Sequence, residues 1–336
     1  MVDSPIKRRR VLTGLATTGL AAIAGCNSDG STSTATETPT ASPTPTATPT
    51  TTPNQQALEH YTAAIDTLVQ NKEQLDDWAD NGFGGESQVL GDLRDQLSQA
   101  RDDLDRAQDA DSTGDLVAKI DQARLVANFQ ELNIAYYDVV ETFNQLMGDA
   151  QTFAESEQPQ RAADKWAEAG QVVDDARAVV DDMETIFDQM DLGVLDEPKL
   201  QYTGEAIDYI ELGDRRTLDG GENYVSGHER LQLSFVKFDA GSSHYDNEEY
   251  AEARKEWESG RSLLEEALAS FETVVDNNHV PERFNQDSIA QIGVVERMIE
   301  AFDKFVKGAK EAEAGNVEQG DILVSEGLDI FGEIFG

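Results

Sequence analysis

The chain has one cysteine, Cys26, in 336 residues, so no disulfide can form within it. Bases are scarce. There are 26 Lys and Arg against 66 Asp and Glu, a formal net charge of −40. Beyond residue 26 no basic patch remains to meet a phosphate backbone or an anionic membrane face, which argues against nucleic acid as a partner. No Asn-x-Ser/Thr sequon occurs, so conventional N-glycosylation has no acceptor. Proline nearly vanishes after residue 53, where only Pro159, Pro198 and Pro281 remain. Aromatic residues are 7% of the chain. No apolar run reaches the roughly 20 residues of a membrane-spanning helix.

What is present in excess is acid. Removing residues 1–26 takes away Lys7, Arg8, Arg9, Arg10 and Asp3, which moves the charge from −40 to −43. Such a charge strains a compact state by self-repulsion. The acids interleave with periodic Leu, Ile, Val, Phe and Ala, which argues against a disordered chain. At a Debye length of about 3 Å in 1 M salt the repulsion is largely screened. The composition resembles that of proteins from salt-accumulating haloarchaea, which implies a halophilic, folded protein.

The first 26 residues read as a targeting segment. Lys7 to Arg10 are basic, and the run from Val11 to Ala24 is apolar but only about 14 residues long, too short to span a bilayer. Arg8-Arg9-x-Val11-Leu12 resembles the twin-arginine export pattern. Ile23-Ala24-Gly25-Cys26 resembles a lipobox, which implies lipidation of Cys26 and anchoring on the extracellular face of the cell membrane. One acyl chain binds membranes only marginally, so stable anchoring implies two.

Residues 27–53 are almost wholly Ser, Thr, Pro, Ala, Gly and acid, a composition with nothing to bury. They read as a disordered stalk that would reach about 80 Å at roughly 3.1 Å per residue. Residues 54–336 read as an all-helical domain with a possible sub-boundary near 191–198. Ala57, Tyr61, Ala64, Ile65 and Leu68 follow helical spacing, as do Leu263, Leu264, Ala267, Phe271, Val274 and Val275. The expectation is an all-α fold of antiparallel helical hairpins, with breaks at 81–85, 111–114, before Pro159, 193–198, Gly220-Gly221, before Asn247, 277–281 and Gly315-Asn316. Asn247 and Asn316 read as N-caps, and Pro159 as a first-turn residue.

One pattern recurs. Ala150, Phe153, Ala162, Trp166 and Ala169 share their spacing with Gly241, His244, Ala253, Trp257 and Gly260, and more weakly with Gly308, Glu311, Gly320, Val324 and Gly327. Small residues let two helices approach, and an aromatic ring fills the groove beside them. The pattern resembles the tetratricopeptide helix-turn-helix signature, and implies a degenerate array of such hairpins. The copies lie 91 and 67 residues apart instead of one unit of about 34, so an elongated bundle stays open as the alternative.

The search for chemistry returns little. His60, His228, His244 and His279 lie in neither His-Glu-x-x-His nor Glu-x-x-His, and His244 reads as a packing residue of the repeat. Asp109 and Asp111 open a segment like half of a calcium loop, but Ile120 stands where that loop needs a bidentate Glu. His279 and Glu282 resemble the His-x-x-Glu core of imelysin-like helical lipoproteins, without that family's preceding Gly and with Pro281 between them. No catalytic residue, cofactor or complete metal site is expected. The reading is a non-enzymatic protein- or peptide-binding or scaffold module on a lipid anchor. The alternatives are a solute- or metal-capturing lipoprotein serving a transporter, and a structural envelope spacer.

Overall fold

The computed structural model describes residues 53–80, 88–195, 197–200 and 215–335. The targeting segment and nearly all of the stalk, with Arg8, Arg9, Ile23, Ala24, Gly25 and Cys26, lie outside the described residues. The fold is an all-α array of helical hairpins, with no strand among the described residues. The helices are α1 (Pro53–Asp80), α2 (Gln88–Ala110), α3 (Val117–Glu155), α4 (Pro159–Phe187), α5 (Arg215–Asp246), α6 (Tyr250–Asp276), α7 (Glu282–Glu313) and α8 (Val317–Phe335). Each packs on the next in chain order. No described helix is long and apolar enough to cross a membrane.

The helices form because their apolar residues recur every three or four positions, and that stripe is what is buried. On α2 it is Leu90, Leu93, Leu97, Ala100, Leu104 and Ala107, all at most 1% exposed. These meet Ala64, Leu68, Ile120, Ala127 and Ile134 in a core shared by α1, α2 and α3, which Leu195 and Leu200 close from the following segment. A second, aromatic-rich core fills α5 to α8 around Trp257, Phe271, Phe302, Phe305 and Phe331. A smaller cluster joins them, with Ala150, Trp166 and Ala169 against Tyr224, Val225 and Phe284.

The recurring pattern marks three turns of one geometry. Glu157, Glu248 and Gly315 take positive φ values of 57°, 63° and 92°. The next residue in each case donates its N–H back to the carbonyl five positions earlier: Gln158 to Phe153 (2.9 Å), Glu249 to His244 (2.9 Å), Asn316 to Glu311 (2.8 Å). The left-handed residue donates to the carbonyl three positions earlier, Ala154, Tyr245 or Ala312. This is the Schellman closure, which satisfies carbonyls that a helix end leaves free. The second helix then starts at once, at Pro159, Tyr250 or Val317.

The small residues of the pattern are crossing points. A Cβ on Gly241 would meet the Trp257 indole at 2.4 Å, one on Gly260 would meet Phe302 at 2.3 Å, and Gly308 and Gly320 face each other's carbonyls at 2.8 and 2.7 Å. The spacing of 67 residues is the length of one full hairpin of long helices. The spacing of 91 adds the segment between α4 and α5.

Three expectations are corrected. Gly220-Gly221 is no break, because α5 runs through it. Gly220 is there because a Cβ would fall 2.1 Å from Val280 Cγ2, where the α6–α7 connection crosses α5. Asn247 does not cap α6; its side-chain amide donates to the Ser243 carbonyl and closes α5. Asn316 precedes α8, and its carbonyl accepts from Gly320 N–H, but its amide donates to Glu311 instead of capping.

The few bases are placed between helices. Arg124 bridges to Asp105 (2.6 Å), Arg177 to Asp219 and Glu222 (2.8 and 2.6 Å), Arg254 to Glu313 (3.0 Å) and Arg261 to Asp303 (2.7 Å). Arg94–Asp138, Arg101–Glu131 and Arg297–Glu333 do the same. Exposed pairs contribute at most about 1 kcal/mol each, less in salt, so their work is chiefly to fix which helix faces which.

Candidate functional site

A cavity of about 590 Å³ opens where the C-terminal half of α3, the start of α4, the middle of α5 and the start of α7 meet. It exists because α3 outruns α2. Beyond the first core, α3 approaches α7 through side chains: Phe143 lies edge-on to Phe284 at 6.2 Å, and Arg283 Nη2 donates to Asn144 Oδ1 at 3.0 Å. From that level the cavity is lined by α3 as far as Ala154 and by α7 as far as Gln291.

One wall is a stack of rings. Trp166, from α4, lies flat on His228 of α5 at 4.5 Å and 14°. Phe271 meets the same imidazole edge-on at 5.0 Å. One turn back on α5, Tyr224 stacks on Phe284 of α7 at 4.5 Å and 19°. Such ring pairs each contribute about 0.5–1.5 kcal/mol beyond the area they bury.

Asp287 holds this wall in place. Its Oδ2 accepts the Tyr224 hydroxyl and the His228 Nε2–H, both at 2.9 Å, and the Gln291 side chain also donates to it. Burial pushes the Asp287 carboxyl up, but the hydrogen bond and charge of His228 and the bonds from Tyr224 and Gln291 outweigh that and hold it below its ordinary value. The Tyr224 hydroxyl is pushed well above its ordinary value by burial, then by the Asp287 charge and hydrogen bond, against a small opposing pull from Arg283. The carboxylate thus already accepts from three partners within the protein.

The remaining polar wall is neutral amide. Asn144 and Gln151 come from α3, Gln232 from α5, Gln286 and Gln291 from α7. Gln232 and Gln291 are 3% and 5% exposed, and the side-chain carbonyl oxygen of each has no hydrogen-bond partner. A buried carbonyl left unpaired costs about 1–3 kcal/mol, so such groups call for an explanation.

Of the residues singled out from the sequence, Trp166 reaches this site. Ala162, Ala169, Ala253, Trp257 and Gly260 pack helix crossings. His244 is half-exposed and gives Nδ1 to Glu249 at 2.5 Å, tying its own turn instead of filling a groove. Asp111 closes the turn before α3, accepting N–H groups of Gly114 (3.0 Å) and Leu116 (2.8 Å) and the Thr113 hydroxyl (3.0 Å). Those bonds hold its carboxyl below the ordinary range, the Leu116 bond foremost. Asp109 is exposed. The His279 carbonyl accepts from the Thr217 hydroxyl, and Glu282 accepts from the Gln286 amide in the first turn of α7. No three His, Cys, Asp or Glu gather as a metal group among the described residues.

Sequence reading missed His228, Tyr224, Gln232, Arg283, Asp287 and Gln291. The available signal was spacing: Tyr224, His228 and Gln232 stand four apart, as do Arg283, Asp287 and Gln291, two non-apolar stripes on otherwise amphipathic helices. No family model, curated protein or solved structure matches the chain.

Proposed function

We propose that the chain is a lipid-anchored, extracellular, non-enzymatic binding module whose binding site is this cavity. One observation carries the reading. In a chain with 66 acidic residues, a half-open space of about 590 Å³ is lined by rings and amides, and its single carboxylate is already engaged. Ligand pockets run to about 300–1,000 Å³ with apolar walls and a few converging polar groups. A half-open space of about 590 Å³ has the volume of a small-solute pocket, so solute capture moves ahead of a protein partner. Catalysis would need a reacting group, and in the Asp287–His228 pair the two are bonded to each other, with the imidazole flat on Trp166 and edge-on to Phe271.

The anchoring half of the reading rests on Arg8, Arg9 and the Ile23–Cys26 segment. Cys26→Ser should move the protein from membranes to the soluble fraction; continued partition with membranes contradicts it. The cavity half is tested by occlusion. Gly148 lines the cavity on α3, and a Cβ there meets nothing within 4 Å. Small solutes that raise the Tm of the full chain should fail to do so for Gly148→Leu. A solute set that shifts both proteins equally, or neither, contradicts a cavity site.

A further inference from the structure

We infer that the cavity takes a small polyhydroxylated carboxylate, an acidic sugar, with its hydroxyls on the amides and its carboxylate on Arg283. The inference rests on the binding-module reading and adds the ligand's chemistry.

The amides come first. A carboxamide offers two N–H donors and a carbonyl acceptor, and a hydroxyl both donates and accepts. Five amides lining the cavity from three helices therefore match a ligand with several hydroxyls. Gln232 and Gln291 are each more than nine-tenths buried and hold an unpaired carbonyl oxygen that lies beneath the cavity surface, so a ligand hydroxyl meets that oxygen once the amide turns outward. A ligand ammonium would need a free carboxylate, and Asp287 is spent on Tyr224, His228 and Gln291.

Arg283 supplies the charge. Arg94, Arg101, Arg106, Arg124, Arg177, Arg230, Arg254, Arg261 and Arg297 each have a carboxylate partner. Among the described residues Arg161 and Arg283 have none; Arg161 bonds Gln158 over the Phe153 ring, and Arg283 is the one that lines the cavity. Its guanidinium lies 4.7 Å over the Phe284 ring and gives Nη2 to Asn144. An arginine held this way presents a planar fork that fits a carboxylate. A phosphate dianion would call for more positive charge than one arginine. The Met147 thioether and the parts of Trp166 and Phe284 that line the cavity give a sugar's C–H surface apolar contact, although the Phe284 ring already carries Tyr224 and Arg283 and Trp166 already lies on His228.

The test is calorimetric titration of the full chain carrying Cys26→Ser in molar KCl, with glucuronate, glucose, glucosamine and propionate as probes. Glucuronate should bind at one site, at least about tenfold tighter than glucose, the contribution of one charge-assisted pair. Propionate and glucosamine should be far weaker. Arg283→Gln should erase the preference of glucuronate over glucose and leave glucose binding in place. Arg297→Gln removes the same charge at a site paired with Glu333 and should keep the preference. Gln232→Leu should weaken both sugars while raising Tm, because an unpaired buried carbonyl is removed. Equal affinity for glucose and glucuronate, a preference that survives Arg283→Gln, propionate as tight as glucuronate, or tighter binding of glucosamine overturns the inference. So does the absence of saturation by either sugar. If other solutes still separate wild type from Gly148→Leu, the binding-module reading stands and only the ligand class falls.

Discussion

Replacing glycine by alanine should raise stability at some helical positions of this chain and lower it at others, and the hairpin crossings decide which. Alanine gains about 0.5–1 kcal/mol over glycine within a helix, by restricting the unfolded chain and sparing backbone entropy. At Gly148 and Gly293 a Cβ meets nothing within 4 Å, so that gain should appear undiminished. At Gly308 the Cβ would stand 2.8 Å from the Gly320 carbonyl oxygen and 2.8 Å from Val324 Cγ2. The backbone oxygen cannot rotate away. To reach ordinary contact at 3.4 Å, α7 and α8 must part by about 0.6 Å, the difference of those two distances. Overpacking of this kind costs about 1–3 kcal/mol, so Gly308→Ala should lose about 1–2 kcal/mol net. Gly320→Ala should do likewise, with its Cβ 2.7 Å from the Gly308 carbonyl. The double variant should cost less than the sum, since helices already parted for one methyl accommodate the other. Urea midpoints in constant molar KCl measure all five proteins, with far-UV circular dichroism as the probe. Shifts of the same sign at Gly148 and Gly308, or strict additivity of Gly308 and Gly320, would refute the account of the repeat as a set of close crossings.

The turns make a second prediction. Gly315→Ala should destabilise by about 1–2 kcal/mol, because its φ of 92° disfavours a Cβ, while Glu248→Gly in the equivalent turn should stabilise by up to about 1 kcal/mol, both read as urea midpoints. The cavity wall sets the pH limits. Asp287 has a lowered folded pKa, so its contribution is present above the unfolded value of about 3.9 and is lost as pH falls through the folded one. Tyr224 has a raised folded pKa, so its contribution is present below the unfolded value of about 10 and is lost as pH rises toward the folded one. Asp287→Asn should flatten the acid limb of a stability–pH curve and Tyr224→Phe the alkaline limb; an unchanged limb contradicts the assignment. Salt supplies the fourth. With a net charge of −40, thermal midpoints should fall on dilution from molar to about 0.1 M KCl, where the Debye length is about 10 Å, and a flat response would show the charge is not straining the fold.

Fold class was legible because burial here follows helical period without interruption. The stripe from Ala57 to Leu68 and the spacing shared by Trp166 and Trp257 needed no tertiary knowledge. The turn chemistry was less legible. Gly315 announces its left-handed turn, but Glu157 and Glu248 hold the same conformation in residues that ordinarily avoid it, so two of three identical turns carry no glycine signal. Gly220-Gly221 misled in the opposite sense, since glycine serves close approach as well as chain reversal. The cavity was hidden for a topological reason. His228 and Asp287 lie 59 residues apart on helices separated by α6, and Trp166 comes from an earlier hairpin. Local spacing shows which residues share a helix face, but not which face another helix brings opposite.

The most direct measurement is the identity of what the protein carries. Full-length chain recovered from its own membranes, washed and then denatured, should release a small molecule in near-stoichiometric amount by mass spectrometry, and Gly148→Leu prepared in parallel should release none. Equal release from both proteins, or none from either, would contradict the claim that the space between α3, α4, α5 and α7 is a binding site.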